Sequence, residues 1–124
     1  MVETQLKIDS SDRVVIVTVI GGLGDAELQS LGDQLEKNPE VAPDFALLID
    51  LRQADGKSVT SPGVRALATR PLIFSAASRR AVVVPSDLGF GMARMYEMLR
   101  EGRGGGMRVF RDYDEARRWV AQRS

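Results

Sequence analysis

The chain has 124 residues, a formal net charge of zero, 44% hydrophobic and 27% charged residues, the profile of one compact domain with a real core and no global pull toward nucleic acid. It has no cysteine and no histidine, which excludes disulfides, thiolate or imidazole metal sites, cysteine nucleophiles and every histidine-based triad. No apolar run approaches the roughly 20 residues of a membrane span, and the N-terminal segment lacks a signal-peptide pattern, so a single cytoplasmic domain over residues 1–124 is expected.

Leu6 and Ile8 alternate with polar neighbours, Ser10-Ser11-Asp12 marks a tight turn, and Arg13 to Ile20 is an apolar run. This predicts two antiparallel strands, the second more buried. Asp25 is the expected N-cap of a helix whose Leu28, Leu31 and Leu35 recur at helical spacing until Asn38-Pro39 stops it. Phe45 to Leu51 is apolar without alternation, as in a strand covered on both faces.

A polar loop is expected from Arg52 to Ser61, ending in Thr60-Ser61-Pro62, where either hydroxyl can cap a helix with proline in its first turn. Val64, Leu67 and Ala68 continue that helix, and Pro71 ends or kinks it before Leu72-Ile73-Phe74. Arg80 to Val84 is a further buried strand, followed by a helix from Asp87 to about Arg100 and the flexible run Gly104-Gly105-Gly106. Met107 to Phe110 is the last strand, and Asp112 caps a helix whose Tyr113, Ala116, Trp119 and Val120 form one apolar stripe. The order β-β-α-β-α-β-α-β-α makes an α/β fold with a mostly parallel mixed sheet, antiparallel at one edge and flanked by helices.

Four stretches invite a functional reading. Gly22-Leu23-Gly24-Asp25-Ala26-Glu27 has the first two glycines of a dinucleotide-binding loop, but Glu27 takes the third position, and Asp25 and Glu27 would set carboxylates against a pyrophosphate. A strand-to-helix turn is the better reading, and no cofactor is expected. In the helix after Asp87, Leu88, Met92, Met95 and Leu99 form a core stripe, while Phe90, Gly91 and Met98 widen the apolar surface beyond what packing needs.

Leu72, Ile73 and Phe74 add to that surplus, and Arg79, Arg80, Arg94 and Arg100 either form a basic patch near Phe90 or are simply solvated charge. Thr60 and Ser61 stand at a helix N-terminus that favours an anion or phosphate, although capping alone explains them. Asp50 and Asp55 are a candidate acid–base pair, with neither nucleophile nor metal ligand beside them. No catalytic and no metal-binding residue is therefore assigned.

The element order together with "FALLIDLR", "SPGVRAL", "SRRAVVVPSDLGFGMARMYEMLRE" and "MRVFRDYDEARRWV" resembles the SpoIIAA-like family of STAS domains, bacterial relatives of anti-sigma-factor antagonists. The resemblance spans nearly the whole chain and is most specific from Ser78 to Glu101 and in the C-terminal segment. It implies a small mixed sheet flanked by helices, a homodimer, no established catalytic residues and, for some members, apolar ligands held between mobile helices and association with membranes. In signalling STAS domains a phosphorylated serine opens the helix after the central strand within Asp-Ser-Ser-Gly. The matching stretch is Thr60-Ser61-Pro62-Gly63, with Ser61 at the phosphoacceptor position.

Two expectations follow. The leading one is a non-enzymatic module that binds a lipid or another apolar small molecule, or touches a membrane peripherally, through Leu72, Ile73, Phe74, Phe90, Met92, Arg94, Met95 and Met98. The alternative is a partner-switching regulator of the anti-sigma-factor antagonist type, docking a protein partner at Thr60 and Ser61.

Overall fold

Strand β2 (Val14–Gly24) is the hub of the architecture. Val15, Val17 and Val19 are buried on one of its faces and Val14 on the other, the twofold side-chain period of a strand covered on both sides. β1 (Val2–Asp9) pairs with it antiparallel, from Val2↔Gly21 to Asp9↔Val14, with no break in register. The connection ends at Arg13 with φ 56°, a left-handed conformation uncommon for a side chain of this size. Its guanidinium pairs with Asp44 and lies 4.8 Å from the centre of the Phe45 ring. The computed structural model describes residues 2–70, 78–85, 87–100 and 106–122.

β3 (Ala46–Ser58), β4 (Arg80–Val83) and β5 (Met107–Phe110) add in parallel, so the five-stranded sheet has the order β1-β2-β3-β4-β5. Between them run α1 (Asp25–Lys37), α2 (Ser61–Ala68) and α3 (Asp87–Arg100), and α4 (Tyr113–Ala121) follows the last strand. When each parallel strand lands beside its predecessor in chain order, right-handed crossovers place all the connecting helices on one face. α1, α2 and α3 accordingly share a face, where Leu31 and Leu35 pack with Val15, Val17 and Leu47. On the opposite face, Ala116 and Val120 of α4 close over Val14, Leu48, Ala81 and Val83.

Two expectations are corrected. The N-cap of α1 is Gly24, not Asp25, and Glu27 reaches back to accept a hydrogen bond from the Gly24 N–H at 2.8 Å. The stretch from Arg52 to Ser58 is not a loop: β3 continues through it, Gln53, Ala54, Asp55 and Ser58 pairing with Ile20, Gly21, Gly22 and Gly24. That ribbon runs beyond β4, whose pairing with β3 ends at Asp50↔Val83. Most of its side chains are exposed, so a polar sequence is compatible with a strand there, and apolar patterning carries no signal.

Candidate functional site

The first candidate is the corner where α1 and α2 begin. Thr60 caps α2, its Oγ1 accepting from the Gly63 N–H at 3.1 Å. Its own hydroxyl donates to Asp25 Oδ2 at 2.6 Å and its backbone N–H to Asp25 Oδ1 at 2.9 Å. Asp25 is the first residue of α1, so one carboxylate joins the starts of both helices, where the macrodipoles favour negative charge. The hydrogen bonds from the Thr60 side chain and backbone hold its carboxyl below the usual range. Gly63 is required by this closure: a Cβ there would lie 2.0 Å from Asp25 Oδ1.

Ser61 occupies the first position of α2, beside this latch. Unlike Thr60, its half-buried hydroxyl has no hydrogen-bond partner among the described residues. An anion added to Ser61 would meet the α2 N-terminus and, in the same place, the charge of Asp25.

The second candidate is a cavity of about 370 Å³ between the sheet and helices α1, α2 and α3, within the size range of small-molecule sites. Its wall is largely aliphatic, with Leu31, Leu47, Ile49, Val64, Val82 and Met92 among its residues. Arg80 stands in the wall with only 8% of its surface exposed. Arg70 borders the cavity and ties the end of α2 to α1, bonding Asp33 at 2.8 Å, Glu36 at 2.7 Å and the Gln29 side chain at 2.8 Å. The bond to Asp33 foremost, and then that to Glu36, raise the Arg70 pKa.

Of the residues singled out in the sequence, Met92 lines the cavity, Met95 is half-buried outside its lining, and Met98 is 62% exposed. Arg94 is exposed and pairs with Glu97 on its own helix. Phe90 lies in α3, but its side chain, like residues Leu72, Ile73 and Phe74, falls outside the described part of the structure. The arginines do not form one patch: Arg80 is buried on the cavity face, whereas Arg79 stacks 5.0 Å from the centre of the Trp119 ring of α4.

Asp50 and Asp55 do not form a pair either. Asp50 is buried and gripped by Arg52, and Asp55 lies on the exposed ribbon, its Oδ1 accepting from the Lys57 N–H at 3.1 Å. The glycine loop is strand, and the α1 terminus that a pyrophosphate would require is already served by Glu27 and Asp25. Among the described residues, no His, Cys, Asp or Glu cluster could hold a metal ion, and no helix is long and apolar enough to cross a membrane. The cavity wall supplied by Leu47, Ile49 and Val82 reads in sequence as ordinary core. The available signal was Arg80, a charge opening an otherwise apolar buried strand.

No family model matches the sequence, and no curated protein matches it. Solved structures do. A protein with a SpoIIAA-like fold from Shewanella loihica superposes with a TM-score of 0.60 at 17% identity, over 96% of this chain and 93% of that one. An anti-sigma factor antagonist from Mycobacterium paratuberculosis gives a TM-score of 0.60 at 19% identity, over 98% and 96%. The chain therefore has the SpoIIAA-like fold, with the mostly parallel five-stranded sheet and four helices that the element order implied.

Proposed function

We propose that this chain is a non-enzymatic partner-switching regulator of the anti-sigma-factor antagonist type, which docks a protein through the corner where α2 begins. The observation that carries the reading is the Asp25–Thr60 latch, which consumes the capping capacity of Thr60 and leaves the Ser61 hydroxyl beside it without a partner among the described residues. The Mycobacterium antagonist, sharing the fold over nearly the whole of both chains, supports it. A charge placed on Ser61 would repel Asp25 and compete with it for the same helix terminus, so the corner can exist in two electrostatic states.

The test is the affinity of Ser61→Glu and Ser61→Ala for a partner first recovered with the wild-type protein and then titrated by calorimetry. Ser61→Glu should weaken binding about tenfold or more, and Ser61→Ala should leave it nearly unchanged. Equal affinities for wild type and Ser61→Glu would sink the proposal.

The cavity favours a second reading, the binding of a lipid or another apolar small molecule beneath α2 and α3. Native mass spectrometry of the purified protein, followed by solvent extraction, should then find an apolar molecule at near-stoichiometric level. A protein of bare chain mass, still bare after incubation with fatty acids, would count against this reading.

A further inference from the structure

Independently of that function, we propose that β1 is the surface through which two copies of this chain join their sheets. β1 is one of the two edge strands of the sheet, eight residues long against four for β5 at the other edge. The Ala46 N–H donates to the Arg13 carbonyl at 2.9 Å, so Val14, the next residue, turns its backbone polar groups toward β1, where it faces Asp9. Asp9, Lys7, Gln5 and Glu3 therefore bond back to β2. Val2, Thr4, Leu6 and Ile8 turn their N–H and C=O groups outward, where no strand among the described residues pairs with them.

Exposed edges are ordinarily blunted by proline, bulges, shortness or charged side chains, lysine above all. β1 has neither proline nor glycine, and its pairing with β2 has no bulge. Its charges instead suit a copy of itself. Glu3, Gln5 and Lys7 are exposed on the face opposite α1, and Leu6 and Ile8 pack toward the α1 side.

A twofold axis perpendicular to the sheet pairs β1 antiparallel with its copy and keeps each face on its own side. With the axis at Gln5, Glu3 of each chain lies directly opposite Lys7 of the other, and Thr4 opposite Leu6. The acid–base pairs fall at the positions without ladder hydrogen bonds, where side chains approach most closely. Moving the axis to Leu6 sets Glu3 against Asp9, two like charges. Moving it to Thr4 shortens the overlap and removes the acid from opposite Lys7. Charge complementarity thus selects one register, and in it every outward backbone group from Val2 to Ile8 gains a partner.

The proposal is tested by sedimentation of the full chain over a range of concentrations, with folding followed by circular dichroism. The wild type should form a dimer. Lys7→Glu, which creates two like-charge pairs per dimer, should weaken association about tenfold or more, and Glu3→Lys combined with Lys7→Glu should restore it. Thr4→Pro removes an outward N–H and no bond of the β1–β2 ladder, so it should give a folded monomer. Should Thr4→Pro fail to fold, Lys7→Glu and its charge-swapped rescue decide the matter alone. A wild type that stays monomeric overturns the proposal, and so does a dimer indifferent to Lys7→Glu.

Discussion

Asp50 shows how a single residue can look catalytic in sequence and prove structural in place. Its side chain is buried at the end of the α4-covered face, which pushes its pKa up, yet Arg52 more than reverses this. The guanidinium donates through Nε at 2.9 Å and Nη2 at 2.8 Å, and the Arg52 backbone N–H donates at 3.0 Å. The net result is a carboxyl held below its ordinary range, while the same guanidinium lies 4.5 Å from the centre of the Tyr113 ring and anchors the start of α4. A folded-state pKa below the unfolded value stabilises the fold above the ordinary carboxylate pKa, and that contribution is lost as pH falls through the folded value. Asp50→Asn should therefore cost about 1.5–3 kcal/mol at neutral pH. The gap to wild type should shrink below about pH 4, and denaturant melts at pH 7 and pH 3 would show it. A gap independent of pH would mean that the charge of Asp50 contributes nothing.

Among the elements, the two faces of the sheet differ in how completely they are filled. α4 closes one side with the fully buried Ala116 and Val120 against the equally buried Leu48 and Val83, whereas the three helices opposite leave the cavity of about 370 Å³. Leu48→Ala should cost about 2–5 kcal/mol, but Ala93→Leu, which extends a side chain of α3 from the cavity wall, should hold or raise the melting temperature. If Ala93→Leu is as damaging as Leu48→Ala, the cavity is not free space.

The same contrast explains what the sequence disclosed. Helical spacing of Leu28, Leu31 and Leu35 and the buried runs of β3 and β4 specify elements and faces, because burial imposes a period. The continuation of β3 through Gln53, Ala54 and Asp55 leaves no mark in the sequence because its exposed backbone pairing makes no demand on side chains. A cavity also leaves no period of its own, since Leu47 and Val82 would be aliphatic with or without an occupant. Ser61 and Thr60 were legible as a helix start, but not Asp25 as the partner of Thr60, since that contact joins residues 35 positions apart.

At the scale of the whole molecule, the arrangement separates its tasks. The α1–α3 face and the ribbon carry the corner at Ser61 and the cavity, the opposite face is sealed by one helix, and the longer of the two edge strands is β1. Arg117 of α4 ties the sealing helix to the first turn through Asp9 at 2.7 Å and Asp12 at 2.9 Å, joining the two ends of the described chain. The spatial order of the strands is also the order in which they are synthesised. A chain emerging from the ribosome can thus lay down each strand against one already present, beginning with the local hairpin of β1 and β2 and never inserting a strand between two others. The exception is the face over Val14 and Leu48, which must wait for the last helix. Until then that apolar surface stays bare, and the docking of α4 is the event that ends the exposure.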